Sequence, residues 1–120
     1  MIKESVMPLL KIQTNATLTN EQQKAVTKTL SEAVAVMLGK PERYVMVSLE
    51  HNSNMLFAGT DEALVYLELK SIGLSEDKTT EYASTLCKII SQHLEIATDR
   101  IYIEFTNAQR HLWGWNEATF

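Results

Sequence analysis

Residues 64–107 read LVYLELKSIGLSEDKTTEYASTLCKIISQHLEIATDRIYIEFTN, and this stretch decides the fold class. The apolar run at 64–70 predicts a strand, and a loop through Gly73 leads to a helix with Ser75 as its N-cap. A second strand at 101–107 completes a βαβ unit. The helical periodicity predicts an inner face formed by Tyr82, Leu86, Ile89, Ile90 and His93.

The first half of the chain repeats this pattern. Sliding the sequence on itself aligns Leu18-Thr19 with Leu74-Ser75 and Thr29-Leu30 with Thr85-Leu86. With one inserted residue, Arg43 then aligns with Arg100. The chain therefore consists of a duplicated βαβ unit.

The elements of the first unit can be placed along the sequence. Residues 8–14 predict a strand, Thr19 predicts a helix N-cap with Gln22 completing a capping box, and Gly39 predicts the end of that helix near Leu38. The following strand is expected at 44–50. The buried stripe of the helix is predicted to comprise Val26, Leu30, Ala33, Val34 and Met37.

These units predict an α+β fold with a four-stranded sheet. Right-handed crossovers would place both helices on one face and leave the other face uncovered. The apolar runs YVMVSL at 44–49 and ALVYLEL at 63–69 suggest that the uncovered face exposes large apolar side chains. Burial of that face or its edges against sister subunits predicts a closed homo-oligomer, with short strands in the tail at 111–120 bridging to a neighbour.

The composition excludes several classes of protein. A chain of 120 residues with net charge −4 is expected to form one domain and lacks the basic footprint of a nucleic-acid or anionic-membrane binder. Cys87 is the only cysteine and is interpreted as core filler, so an intramolecular disulfide is excluded. His51, His93 and His111 have no metal-ligand spacing, and no metal site is predicted.

The sequence contains no targeting segment that we recognise. The opening MIKESVMPLL lacks an apolar run of signal-peptide length, and no stretch approaches the roughly 18 apolar residues that span a bilayer. We therefore expect a cytoplasmic protein, with non-classical secretion left open.

Short motifs along residues 7–120 carry a family resemblance. They are Met7-Pro8, Gly39-Lys40-Pro41, Ser71-Ile72-Gly73, Asp99-Arg100-Ile101-Tyr102-Ile103, Gly114-Trp115-Asn116 and Thr119-Phe120. In their order and spacing they resemble the macrophage migration inhibitory factor and D-dopachrome tautomerase family. The resemblance implies a homotrimer with active sites between subunits that interconverts keto and enol forms of small aromatic α-keto acids or dopachrome-like compounds. It implies no cofactor.

Within this resemblance, Pro8 would be the catalytic base. A terminal α-amino group titrates at roughly 7.7 to 8, close to the pH at which a general base must work. Apolar neighbours and the ammonium of Lys40 would lower the pKa of that amine further.

The resemblance also implies a set of substrate-binding residues. Lys40 would hold the substrate carboxylate, although a lysine beside a helix C-terminus can simply face the macrodipole. Ile72 and the adjacent Ser71 would contact the substrate, and Tyr102 would donate a hydrogen bond from the adjacent subunit. The aromatic walls would be Tyr44, Trp113, Trp115 and Phe120.

Three departures from the family pattern bear on function. Glu104 replaces an asparagine and would repel a carboxylate unless it is turned away, paired or protonated, and Trp113 replaces a smaller aliphatic residue. Residues 1–6, MIKESV, precede Met7 and would leave Pro8 with a non-basic amide nitrogen. We interpret this extension as a mis-assigned start or a tag. The alternatives are a homologue that has lost catalysis and a cytokine-like trimer that binds another protein.

Overall fold

A computed structural model describes residues 7–120; the predicted extension at 1–6 lies outside the described residues. Two helices and four main strands follow one another in two similar units. Their order is β1 (Pro8–Thr14), α1 (Asn20–Leu38), β2 (Met46–His51), β3 (Val65–Ile72), α2 (Thr79–Leu94) and β4 (Ile101–Ala108). The tail adds the short strands β5 (Gly114–Trp115) and β6 (Ala118–Thr119).

The sheet has the strand order β2-β1-β3-β4. Strand β1 runs parallel to β2, and β3 runs parallel to β4, as a helical crossover within each unit requires. The two units meet through antiparallel pairing of β1 with β3, which sets Pro8 opposite Ser71. This topology confirms the predicted duplication of the βαβ unit. The predicted tail strands exist and pair with each other as a hairpin. Their bridging to a neighbouring subunit stays a prediction.

The ends of α1 follow the sequence signals. The Thr19 hydroxyl accepts a hydrogen bond from the backbone N–H of Gln22 at 3.0 Å, and the Gln22 side chain accepts one from the Thr19 N–H at 2.9 Å. Gly39 ends the helix in the left-handed conformation, with φ 65°, which a glycine adopts without steric cost. Both predictions are confirmed.

The entry into α2 differs from the prediction. The Ser75 side chain makes no capping hydrogen bond, and a 3-10 turn at Glu76–Lys78 leads into a helix that begins at Thr79. The side chain of Asn107 explains the difference, because its Oδ1 accepts a hydrogen bond from the Leu74 N–H while its Nδ2 donates to Glu76. These two long-range hydrogen bonds from β4 hold the segment before α2, where a local N-cap was expected.

The main core fills the space between the helices and the sheet. Residues alternate between buried and half-buried along β1 and β3, so every second side chain faces the helices. The buried stripe of α2 consists of Tyr82, Leu86, Ile90 and Leu94. His93 was predicted on this inner face, but it is only half-buried because it lies one position off the stripe. Cys87 is half-buried against the core, and desolvation raises the pKa of its thiol.

The face of the sheet away from the helices is more polar than predicted. Strand alternation turns Val47 and Leu49 toward the core, and leaves charged or polar side chains on much of the open face. There Gln13 donates to Glu50 across β1 and β2 at 2.9 Å. The exposed apolar side chains of the open face lie on its two edge strands, where Met46 and Tyr102 are each 65% exposed. The case for subunit contacts therefore rests on the sheet edges.

Candidate functional site

Pro8 lies at the start of β1, beside a cleft of about 230 Å³. The residue is fully buried, and its antiparallel partner Ser71 is buried as well. Both predicted residues thus lie at the same end of the two central strands. Since β1 starts where β3 ends, the loop after β3 and the chain tail gather at this end of the sheet.

Aromatic rings form one wall of the cleft. The ring of Trp115 is edge-on to that of Tyr44, with centroids 5.5 Å apart, and is nearly parallel to that of Phe120 at 5.9 Å. Trp113 also lines the cleft, and its carbonyl accepts a hydrogen bond from the Phe120 N–H at 3.1 Å. The structure therefore brings all four predicted aromatic residues to Pro8.

The turn of the β5–β6 hairpin positions part of this wall. Asn116 and Glu117 both have positive φ, 52° and 67°, which is the arrangement of a type I′ hairpin turn. Asparagine tolerates this conformation, but a glutamate there carries steric strain. The strained turn thus belongs to the hairpin that places the Trp115 ring over the Phe120 ring.

Lys40 reaches the site from the end of α1. Its backbone N–H donates to the Ala35 carbonyl at 2.9 Å in the helix C-cap. Its side-chain Nζ donates to the carbonyl of Ile72 at 3.1 Å, so the ammonium lies beside the last residue of β3. The position places a cation next to the predicted contact residue Ile72, at the same end of the sheet as Pro8.

Met7 is a feature of the site that the sequence analysis did not identify. Its side chain is only 4% exposed and packs with Ile72 in a small second apolar cluster. Tyr44, Trp113 and Phe120 pack against the same cluster. The Met7 side chain therefore lies among residues that were predicted to contact the substrate, and its φ of 61° is unusual for a residue other than glycine.

Tyr102 and Glu104 lie apart from Pro8 within one chain. Pro8 is opposite Ser71, which in turn is opposite Asn107 on β4. Tyr102 lies five positions before Asn107 on β4, and a strand rises about 3.3 Å per residue, so Tyr102 is roughly 17 Å along the sheet from the level of Pro8. Its ring contacts Phe57 instead, with centroids 4.6 Å apart.

Glu104 is paired on the open face of the sheet. Its carboxylate accepts a hydrogen bond of 2.7 Å from the Tyr66 hydroxyl. This bond, together with partial burial and the nearby charge of Glu68, raises the pKa of Tyr66 well above its ordinary value. Of the three conditions under which Glu104 would not repel a carboxylate substrate, pairing is the one observed.

Arg43 is a second feature that the sequence analysis did not assign to the site. It lines the cleft, and its guanidinium carbon lies 4.8 Å from the centre of the Tyr44 ring. Its position next to the predicted wall residue Tyr44 was the available signal. Within residues 7–120, no group of three or more His, Cys, Asp or Glu side chains is placed to hold a metal ion. No helix in that range is both long and apolar enough to cross a membrane.

Comparison with known proteins identifies the family. A family model described as macrophage migration inhibitory factor (MIF) matches residues 7–120. The chain belongs to the macrophage migration inhibitory factor family. The homolog from Brugia malayi is 35% identical over 115 residues, covering 95% of this chain and 99% of the relative. The Mus musculus macrophage migration inhibitory factor is 30% identical over 115 residues, with coverage of 95% and 99%.

Solved structures of the macrophage migration inhibitory factor family share the fold. The crystal structure of the homologue from Prochlorococcus marinus is 42% identical, with a TM-score of 0.87 over 93% of this chain and 98% of that one. The structure from Toxoplasma gondii is 32% identical, with a TM-score of 0.88 over 93% of this chain and 99% of that one. The predictions of family and of the α+β fold are thus confirmed. The roles of individual residues stay predictions.

Proposed function

We propose that this chain, when Pro8 is its first residue, is a cofactor-independent tautomerase that interconverts keto and enol forms of small aromatic α-keto acids. The observation that supports the proposal is the position of Pro8 at a cleft whose wall consists of aromatic rings. An aromatic substrate would stack against this wall while its reacting carbon faces the proline nitrogen. Family membership gives independent support.

The proposed chemistry needs one base of suitable pKa. The Pro8 nitrogen would accept the proton from the carbon next to the keto group and then give up a proton to the carbonyl oxygen, which forms the enol and regenerates the neutral amine. The reverse transfer would give the keto form. Apolar cleft residues such as Leu9 and Val45 would disfavour a charged amine, and the ammonium of Lys40, which lies beside Ile72 at the same end of the sheet, would act in the same direction. Both effects favour a neutral, basic nitrogen near pH 7.

A residue attached to Pro8 would oppose this activity in two ways. The nitrogen would be an amide, whose lone pair is delocalised into the carbonyl and has no useful basicity. In addition, the Met7 side chain would occupy space among Ile72, Trp113 and Phe120. Removal of Met7 would therefore create the base and enlarge the apolar part of the cleft together.

We further propose that the active unit is a homotrimer. Tyr102 and Glu104 are predicted to contact the substrate, yet in the same chain they lie roughly 17 Å and roughly 10 Å along the sheet from the level of Pro8. A neighbouring subunit that pairs along an exposed sheet edge would supply them to this cleft. The exposed Tyr102 on the edge strand β4 is available for such a contact.

The direct test compares three proteins on phenylpyruvate: the chain that begins at Pro8, the same chain with its terminal nitrogen acetylated, and the Pro8→Gly variant. We expect the first protein to turn over phenylpyruvate and the other two to be slower by about 100-fold or more, as general-base catalysis commonly supplies 10²–10⁴-fold. Acetylation removes basicity and keeps the ring, so it separates chemistry from folding. Equal rates in all three proteins would rule out Pro8 as the base, and no turnover in any of them would favour the inactive homologue.

A further inference from the structure

Arg43 is the one charged side chain among the described residues that line the Pro8 cleft. The remaining lining residues are apolar, aromatic or glycine. The backbone of Arg43 lies in the 3-10 turn Glu42–Tyr44, immediately after Lys40 and Pro41. The cationic side chains of Lys40 and Arg43 therefore lie in one short segment at the same end of the sheet as Pro8.

The guanidinium of Arg43 is oriented by an aromatic ring. It lies 4.8 Å from the centre of the Tyr44 ring, and Tyr44 is itself fixed by its edge-on contact with Trp115. The adjacent Glu42 forms no ion pair with it; the Glu42 carboxylate accepts a hydrogen bond from the Ser31 hydroxyl at 2.9 Å. Among the described residues, no hydrogen bond or ion pair occupies the five N–H donors of Arg43.

The duplicated unit contains an internal comparison. Arg100, which aligns with Arg43 in the repeat, also lies over an aromatic ring, at 5.1 Å from the centre of Phe57. Its donors, however, bind the backbone carbonyls of Phe57, Thr60, Glu62 and Ala63. Arg100 thus holds a loop, while Arg43 makes the same kind of ring contact, binds no carbonyl among the described residues and lines the cleft.

We infer that Arg43 is a specificity-determining residue that binds a second anionic group on the substrate, so that the cleft prefers aromatic α-keto acids with a carboxylate on the ring. This inference rests on the proposed function. Lys40, beside Ile72, would hold the keto-acid carboxylate, and the substrate ring would lie along the aromatic wall. The planar fork of an arginine matches a second carboxylate with two parallel hydrogen bonds.

The net charge of the chain makes local cations necessary for the proposed ligand. At a formal charge of −4, the protein as a whole repels a dianion, so a dianionic ligand needs local cations at its binding site. A purely structural Arg43 would serve only to pack Tyr44. That alternative predicts that loss of Arg43 weakens all aromatic ligands alike, whereas a carboxylate-binding Arg43 affects only the dianionic ones.

Binding can be measured without turnover, because the only two tryptophans, Trp113 and Trp115, both line the cleft and their fluorescence reports its occupancy. The probes are phenylacetate and 4-carboxyphenylacetate, which carry one and two carboxylates. The proteins, all beginning at Pro8, are the unaltered chain, Arg43→Ala, Arg43→Lys and Lys28→Ala. Lys28 is exposed on α1 and controls for the loss of one positive charge.

We expect the unaltered chain to bind the dicarboxylate about 10- to 100-fold more tightly than the monocarboxylate, as charge-assisted hydrogen bonds supply. Arg43→Ala should abolish most of this preference, Arg43→Lys should keep part of it, and Lys28→Ala should keep all of it. No preference in the unaltered chain, or an equal loss for both probes in Arg43→Ala, would overturn the inference. The same ratio measured as kcat/KM for 4-carboxyphenylpyruvate against phenylpyruvate should fall in Arg43→Ala through a higher KM.

The two proposals fail in different ways. A probe preference that depends on Arg43, in a protein that turns over neither keto acid, would refute the tautomerase and retain the anion site. Turnover of phenylpyruvate without any preference for the dicarboxylate would refute the role of Arg43 and retain the tautomerase.

Discussion

Thr14, the last residue of β1, provides a sharp test of how the strand that begins at Pro8 is held. Its side chain is fully buried, and its hydroxyl donates a hydrogen bond of 2.7 Å to the Leu64 carbonyl. The same oxygen accepts a hydrogen bond of 3.1 Å from the Ala16 N–H. The hydroxyl thus connects the end of β1 to the start of β3 and to the turn that follows.

The Thr14→Val substitution preserves the shape of the side chain and removes both hydrogen bonds. A buried group left without a partner costs about 1–3 kcal/mol. The Leu64 carbonyl is buried, while Ala16 is only half-buried and regains some hydration, so we expect a total loss of about 2–4 kcal/mol.

The matched control, Thr14→Ser, keeps the hydroxyl and removes one methyl group, which should cost about 1 kcal/mol. Urea unfolding of both variants, at one fixed protein concentration because oligomerisation shifts apparent stability, measures the difference. If Thr14→Ser proves the more destabilised variant, the methyl packing and not the hydroxyl dominates, and the hydrogen-bond reasoning is wrong.

Three further predictions concern the tail, the open face and the entry to α2. Glu117→Gly should stabilise the hairpin by about 1 kcal/mol, because glycine accepts the positive φ at this position, and slower amide exchange in the tail would verify it. The stability contributed by the Tyr66–Glu104 hydrogen bond should be present below the ordinary tyrosine pKa of about 10 and be lost as pH rises through the raised value. An absorbance titration should show Tyr66 ionising at lower pH in Glu104→Gln than in the unaltered chain. Asn107→Ala should lower the unfolding free energy by about 1–3 kcal/mol, because the Leu74 N–H loses its acceptor, and an unchanged urea midpoint would contradict this.

Local signals in the sequence were sufficient for the helices and the repeat. The capping box at Thr19 and the left-handed end of the helix at Gly39 each depend on residues within about one helical turn. Both occur as predicted. The grouping of Pro8, Tyr44 and Trp115 at one end of the sheet also follows from the topology, because β1 and β3 are antiparallel.

Long-range contacts account for what the sequence analysis missed. Ser75 looks like an N-cap, yet Asn107, distant in sequence, determines the start of α2. The open face is more polar than the apolar runs alone predict, because strand alternation turns Val47 toward the helices. Arg43 was overlooked because nothing local distinguishes an unpaired arginine from one that is bonded like Arg100.

Duplication of the βαβ unit also explains why only one end of the sheet can use a proline base. In the repeat, the position equivalent to Pro8 is Leu64, at the opposite end of the central strands. The Leu64 nitrogen is a peptide amide that donates a hydrogen bond of 2.9 Å to the Asn15 side chain, so it has no basic lone pair. A chain has a single amino terminus, and duplication copies the strand without copying a free amine. The proposed chemistry is therefore confined to the Pro8 end, where the hairpin of the tail completes the aromatic wall.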